Sequence, residues 1–199
     1  MKLIIGLGNP GPNYAKTRHN FGFLVLDMLK NELGVSGDWQ TNAKFDAEIC
    51  DAEPAAGEKI ILARPQTMMN LSGQAVKAIA GFYQIPARDI WVVHDDFDLP
   101  LGVLRLSQDS GSAGHKGVES VCNALGSKAF VRFRLGIRPV GQTFFSTFFK
   151  KLVSTNKFVL QKFSKAEQPI VEATAQKTVQ AIKTALQAGT DKAKNQFNS

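Results

Sequence analysis

The chain has 199 residues, of which 44% are hydrophobic and 21% are charged, so wholesale disorder, a collagen-like repeat and a coiled coil are excluded. No apolar run reaches the roughly 18 residues of a membrane-spanning helix, and we expect a cytoplasmic monomer with no membrane anchor. The formal charge is +7, and residues 150–199 hold nine lysines against three acidic residues. This basic segment indicates either a polyanionic partner such as RNA or a solvated helix face.

Short apolar runs alternate with helical patterns from end to end, which predicts an α/β sandwich formed by one domain over residues 1–199. No internal repeat and no linker rich in glycine or proline divides the chain. Strands are predicted at 2–7, 47–50, 59–65, 89–96, 102–107 and 130–137. Helices are predicted at 21–34, 71–84, 116–125 and 166–188, the last within a basic C-terminal segment at 166–190.

Phenylalanine is concentrated late in the chain, where eight of the fourteen lie between residues 130 and 163. Phe144, Phe145, Phe148 and Phe149 recur at the spacing of one helix face. Two interpretations stay open for this stripe. It belongs either to a short helix buried in the core or to a lid over 140–157 whose aromatic face covers a groove.

A glycine-rich stretch follows the first predicted strand, with Gly6, Gly8 and Gly11 spaced as in dinucleotide-binding folds. Such a site needs a helix that starts there and turns its backbone amides towards a pyrophosphate. Pro10 and Pro12 remove two of those amides, so a dinucleotide cofactor is disfavoured. A tight turn that holds the intervening Asn9 outward at the strand's end fits the sequence better.

Three histidines lie beside the predicted elements rather than at random: His19 before the first helix, His94 at a strand end and His115 in a glycine-rich loop. Their spacing does not match a metal site, and no metal is expected. Asp95 follows His94 directly. If Asp95 accepts a hydrogen bond from one ring nitrogen of His19, the other nitrogen can take a proton from water.

A covalent nucleophile has little support in the sequence. Ser112 lies outside a G-x-S-x-G pattern, and Cys122 lies within a helical run. Cys50 and Cys122 are expected to be buried thiols. Asn70, just before a predicted helix, is either its N-cap or an amide that donates to a substrate carbonyl. Hydrolysis by an activated water is therefore favoured.

Taken together, these residues resemble the bacterial peptidyl-tRNA hydrolases. The resemblance covers nearly the whole chain, with its motifs in order and at the family's spacing. The matching stretches are 6–11, 14–20, 65–73, 94–102, 114–117, 132–137 and 158–164. The resemblance implies a three-layer α/β/α domain around a mixed twisted sheet. It also implies cleavage of the ester between a peptide and the terminal ribose of tRNA, without metal or cofactor.

The resemblance also implies roles for single residues. His19 would be the general base and Asp95 its orienting partner. Asn9 would contact the substrate near the ester and help select peptidyl over aminoacyl esters, and Asn70 would hold the substrate backbone or the attacked carbonyl. Tyr14 and Met68 would line the place where the tRNA end binds. Met69 would lie beside the peptide.

Positive charge suits a substrate that is bound through its phosphates. Arg105, Arg132 and Arg134, with the lysine-rich C-terminal segment, are the expected source, and the two arginines at 132 and 134 would share one face of a strand. The chain departs from the family at two positions. Lys116 replaces an asparagine expected to contact substrate, and Ser107 replaces a second basic residue.

Two other functions remain open at this point. A non-catalytic RNA-binding relative would keep the sheet and the basic surface without hydrolysis, and a dinucleotide-dependent enzyme would use the glycine-rich stretch. The first is disfavoured because a pure binding module would not need all four polar residues of the expected site. These four are Asn9, His19, Asn70 and Asp95.

Overall fold

A computed structural model of the protein describes residues 1–53, 59–139 and 157–198. The strands within these ranges are β1 (Lys2–Gly6), β2 (Gln40–Asn42), β3 (Ala47–Ala52), β4 (Ile60–Pro65), β5 (Ile90–Pro100), β6 (Leu104–Ser107) and β7 (Val131–Arg138). The α-helices are α1 (Phe21–Glu32), α2 (Ser72–Tyr83), α3 (Lys116–Leu125), α4 (Gln168–Ala188) and α5 (Thr190–Phe197). Short 3₁₀ helices cover Arg18–Asn20, Met69–Leu71 and Ala87–Asp89.

The strands form one mixed sheet in the order β2-β3-β4-β1-β5-β7-β6. The four central strands β4, β1, β5 and β7 are parallel, while β2, β3 and β6 pair antiparallel at the two edges. After β1 the chain forms β2, β3 and β4 on one side of it, and then β5, β6 and β7 on the other side. Such a reversal leaves a crevice at the carboxyl ends of the strands, where ligands of open α/β sheets bind.

Helices cover both faces of the sheet because the central strands are apolar on both sides. On one face Ile4, Trp91 and Phe133 pack with residues of α1, α4 and α5. On the other face Leu3 and Val92 pack with residues of α2 and α3. The expected three-layer α/β/α architecture around a mixed sheet is confirmed.

Two described elements are absent from the sequence-based prediction. β2 has three polar residues, so it carries no apolar signal, and it forms because β3 offers an antiparallel partner. α5 follows α4 after Gly189, whose φ of 88° breaks the helix, and only Ala193 and Phe197 of α5 are buried. The strand predicted to end at Asp96 also continues to Pro100, with a shift in its pairing to β7.

The glycine-rich stretch does not form the tight turn expected around Asn9, since residues 7–10 make no turn and of its glycines only Gly11 has a positive φ, of 95°. A Cβ at Gly6 would lie 2.5 Å from the carbonyl oxygen of Gly22, and one at Gly8 would lie 2.7 Å from the Phe23 ring. These glycines therefore let α1 approach β1 closely. Because α1 begins only at Phe21, the stretch lacks the helix that a dinucleotide site requires.

Other predicted elements agree to within a few residues. The long C-terminal helix spans Gln168–Ala188 with a proline in its first turn. The possible lid at 140–157, with its phenylalanine stripe, lies outside the described residues except for Lys157. No described helix is long and apolar enough to cross a membrane.

Candidate active site

A cavity of about 650 Å³ opens at the carboxyl ends of the parallel strands. One wall comes from α3, with Glu119, Ser120 and Asn123, and another from Val159 and Leu160. The remaining lining contains six residues that the sequence analysis assigned to the site: Asn9, His19, Met68, Met69, Asn70 and Lys116. The fold thus brings together segments from four distant parts of the chain.

Asp95 lies beneath this cavity and is almost completely buried. Its Oδ1 is 2.9 Å from Nδ1 of His19 and 3.0 Å from Nε2 of His115. A buried carboxylate is costly unless it is hydrogen-bonded to several donors. Burial alone would raise the pKa of Asp95, but the two imidazoles reverse this and hold the pKa well below its usual range. Asp95 is therefore a carboxylate at neutral pH.

His115 has a fixed tautomer. Its Nδ1 accepts the backbone N–H groups of Gly117 and Val118, at 3.1 and 3.2 Å, so the imidazole is the N-cap of α3. Nε2 must then carry the proton, and its N–H donates a hydrogen bond to Oδ1 of Asp95. Sequence reasoning singled out His115 but did not connect it to Asp95. Its position immediately before a predicted helix was the available signal.

His19 lies in the short 3₁₀ helix that leads into α1. Thr17 pairs with Lys162, and the N–H of Arg18 donates to the carbonyl of Gln161, so the backbone before His19 is held on the neighbouring segment. Since Nδ1 is directed to Asp95, Nε2 is left without a partner among the described residues. His19 lines the cavity, and Nε2 is the nitrogen available to a ligand there.

The electrostatic surroundings of His19 act in both directions. Burial lowers the pKa of its imidazole, because the charged form loses hydration, and the Lys116 ammonium lowers it further. The Asp95 carboxylate outweighs both and raises the pKa of His19 above 6.5. The Asp95 carboxylate therefore favours the imidazolium, which is the form that a base takes when it accepts a proton.

Asn9 is oriented by three hydrogen bonds. Its backbone N–H donates to Oδ1 of Asn20, and its carbonyl accepts from Nδ2 of Asn20, both at 2.9 Å. Its own Oδ1 accepts the N–H of Met69 at 2.8 Å. The amide NH₂ of Asn9 makes no hydrogen bond to a described residue and is available in the cavity. Asn20 was part of a matched motif, but the sequence analysis gave it no role of its own.

Asn70 does not cap α2, which corrects that alternative. The cap residue is Leu71, without a side-chain capping bond, and Asn70 is exposed within the 3₁₀ helix Met69–Leu71. Its amide has no hydrogen bond to a described residue and lines the cavity. Met68 is 43% exposed at the rim, whereas Met69 is 4% exposed and packs against Gly117.

Searches against known proteins agree with this geometry. A family model described as peptidyl-tRNA hydrolase matches residues 3–199. The chain belongs to the peptidyl-tRNA hydrolase family. The peptidyl-tRNA hydrolase of Desulfitobacterium hafniense (strain Y51) is 41% identical over 199 residues, with 100% of both chains covered. That of Mycobacterium avium (strain 104) is 39% identical, with 99% of this chain and 97% of its own covered.

A crystal structure of peptidyl-tRNA hydrolase from Acinetobacter baumannii matches with a TM-score of 0.87 at 33% identity. The match covers 100% of this chain and 95% of that chain. The family resemblance inferred from the sequence motifs is therefore confirmed, and so is the fold that it implied.

Three other predicted residues of this family member lie outside the cavity lining. Tyr14 is half-buried in the loop before His19, where its carbonyl accepts from Thr17. Arg105 is exposed on β6, directly opposite Arg134 of β7. Nε of Arg134 donates to Asp96 at 2.7 Å.

Arg132 shares its strand face with Arg134, as the alternation predicts. It is only 2% exposed, however, and it donates to the carbonyl of Gly111 at 2.9 Å. The expectation that Arg132 reaches RNA phosphates is therefore wrong.

His19, Asp95 and His115 are close enough to be considered as metal ligands, with their candidate atoms within 4.8 Å of one another. The tautomer of His115 argues against this use, because its Nε2 carries a proton and its Nδ1 already accepts two amides. A metal would need one of these lone pairs free. The donor set fits a hydrogen-bonded His–Asp–His group better than a metal site.

His94, the third histidine, is not available to solvent. It is 1% exposed, and its Nδ1 lies 2.7 Å from the carbonyl oxygen of Asp95. Burial, with the neighbouring His115, lowers the pKa of His94 well below the ordinary value. This imidazole is neutral and supports the backbone at Asp95 instead of facing the cavity.

Proposed function

We propose that the protein hydrolyses the ester of peptidyl-tRNA with a water that His19 deprotonates and Asp95 helps to activate. The observation that carries this proposal is that the two ring nitrogens of His19 have different surroundings. Nδ1 is bound to a buried carboxylate, and Nε2 is unpartnered at a cavity large enough for the end of a nucleotide and an acyl chain.

The chemical steps follow from that arrangement. Nε2 of His19 takes a proton from water as the oxygen adds to the ester carbonyl carbon. The tetrahedral intermediate then expels the ribose oxygen, and the imidazolium returns its proton to that leaving oxygen. The carboxylate of Asp95 stabilises the imidazolium between the two steps. No metal or cofactor is needed for this sequence.

A covalent route has less support. Ser120 lines the cavity, but its Oγ accepts the N–H of Gly73 at 3.0 Å and makes no hydrogen bond to His19. A serine nucleophile would need its hydroxyl within hydrogen-bond reach of the base. Water is the better nucleophile for this cavity.

The orientation of Asn9 supports selection of peptidyl over aminoacyl esters. Its Oδ1 accepts the N–H of Met69, which fixes the amide and leaves its NH₂ donors free for the substrate. Donors suit the carbonyl oxygen of the last peptide bond, which a peptidyl ester has and an aminoacyl ester lacks. They do not suit the free ammonium group of an aminoacyl ester.

The other predicted contacts belong to the same proposal. Asn70 donates to the attacked carbonyl or to the peptide backbone, and Met68 packs at the rim against the terminal nucleoside of tRNA. Tyr14 lies towards the same nucleoside and Met69 towards the peptide. Arg105 and Arg134 face the phosphates, since positive charge supplies binding that is independent of sequence.

The direct test uses two substrates. An N-acetylated aminoacyl-tRNA and its unblocked counterpart are incubated with the protein, and released tRNA and acyl amino acid are separated and quantified. We expect rapid cleavage of the blocked ester only. Binding of either tRNA without cleavage would contradict the proposal and indicate a non-catalytic RNA-binding relative.

A further inference from the structure

Lys116 is the first residue of α3 and lines the cavity that contains His19. Its side chain makes no hydrogen bond or ion pair with a described residue. Even Glu119, one turn along the helix, is not paired with it. An unpaired cation at this place is unfavourable for the helix itself, since the N-terminus of a helix already carries partial positive charge. No described contact of the Lys116 side chain therefore stabilises the folded protein.

The position of the ammonium relative to the reaction is more informative. Lys116 is the neighbour of His115, whose imidazole is bonded to the same carboxylate as His19. The charge of Lys116 is felt at His19, where it lowers the pKa of the imidazole against the effect of Asp95. Lys116 and His19 line the same cavity. A carbonyl attacked by a water on Nε2 of His19 would therefore lie in the field of the Lys116 ammonium as well.

We propose that Lys116 stabilises the negative charge that develops on the carbonyl oxygen of the substrate. This inference rests on the proposed ester hydrolysis and adds a cation to the neutral amide donor proposed for the attacked carbonyl, Asn70. A positioned ammonium in a cavity is worth more to an oxyanion than to the uncharged ester. It therefore acts on the chemical step more than on substrate binding.

The groups that face His19 set the expected pH dependence. Asp95 contacts Nδ1 and favours the charged imidazolium, His115 donates to the same carboxylate, and Lys116 disfavours the imidazolium. Removing Lys116 takes away a repulsion. The acid limb of the pH–rate profile, where His19 gains its proton, then moves to higher pH.

The test compares Lys116→Gln with Lys116→Arg, which keeps the charge, and with Lys128→Gln, a matched change at the other end of α3. On N-acetylated aminoacyl-tRNA we expect Lys116→Gln to lower kcat about 10- to 100-fold. KM should stay within about threefold, since uniform binding is unaffected. Lys116→Arg should retain most of the rate, and Lys128→Gln should equal the wild type.

Three results would overturn the inference. A raised KM with unchanged kcat, together with a salt slope of affinity lower by about one, would assign Lys116 to a phosphate contact. An unchanged acid limb in Lys116→Gln would separate its charge from the reaction. A lower melting temperature would indicate a structural role, whereas loss of an unfavourable helix charge should leave it equal or higher. If the wild type and Lys128→Gln cleave nothing, the proposed function itself fails instead.

Discussion

The carboxyl ends of the parallel strands and the C-terminal helices both carry many charged groups, but they hold them differently. At the strand ends Asp95 is almost completely buried and has two imidazole partners at fixed distances. On the helices Lys183 pairs with Glu32, and Lys194 with Asp191, through side chains that solvent reaches. Surface pairs of that kind contribute about 0–1 kcal/mol each. The positions of the charged side chains are therefore strongly fixed at the strand ends and weakly fixed on the C-terminal helices.

The path of α4 explains why its charge is remote from the cavity. The helix starts beside Glu167, which pairs with Arg18 next to His19. It ends near Ala185, which lies with Lys2 and Trp91 at the amino ends of the strands. With 21 residues it spans roughly 30 Å. Lys177 and Lys183 of α4 therefore lie along a path that leads away from the site, whereas Lys157, Lys162 and Lys165 come before the helix.

The largest expected effect belongs to His19. Replacing it with alanine removes the base, and we expect kcat on N-acetylated aminoacyl-tRNA to fall about 10³-fold. Affinity for tRNA, measured by filter binding, should stay within a few-fold because phosphate contacts remain. Normal turnover by His19→Ala would contradict the proposed base. The hydrogen-bonded group of His19, Asp95 and His115 would then stabilise the fold without taking part in catalysis.

Asp95→Asn tests the carboxylate while keeping its shape. In the wild type, kcat/KM should rise with pH as His19 loses its proton, with a midpoint above 6.5 because Asp95 raises the pKa of His19. The variant loses that attraction, so the limb should move to lower pH. We expect a rate loss of about 10²-fold, since a poorly oriented imidazole still accepts protons. A limb that does not move would contradict the assigned pairing.

His115 connects the cluster to the start of α3, so two variants separate its roles. Asparagine keeps a capping acceptor but loses the donor to Asp95, whereas alanine loses both. We expect both variants to lower kcat about tenfold, because the buried Asp95 carboxylate loses one of its two imidazole donors. Only alanine should cost a further ~1 kcal/mol of unfolding free energy, measured by urea denaturation. Equal stability of the two would exclude the imidazole as the N-cap.

Much of the fold was predictable because the central strands carry continuous apolar runs. β1 and β5 were recognisable for this reason, and α1 from its helical periodicity. β2 and α5 were not, because their sequences are polar and they form only against elements already in place. The extension of β5 past Asp96 likewise depends on its pairing with β7.

The site was predictable where a motif and a strand end coincide. Asn9 and Asp95 follow or end apolar strands, and parallel strands bring such residues to one edge. The contacts of His115 and Asn20 were not predictable, since each depends on a side chain far along the chain meeting a fixed acceptor. Burial of Arg132 was equally hidden, because alternation gives the strand face but not what covers it.

The smallest expected effect comes from removing one positive charge in each region, at Arg105 of the sheet and at Lys183 of α4. Arg105 is exposed on β6 opposite Arg134 and makes no hydrogen bond or ion pair with a described residue, so it is available to a phosphate. Arg105→Gln should weaken tRNA binding a few-fold and lower the slope of log affinity against log salt by about one. Lys183→Gln, the same charge change near the far end of α4, should alter neither. Equal losses in the two variants would mean that tRNA also covers the C-terminal helices, and the lysines there would then be a binding surface despite their weak, solvated pairs.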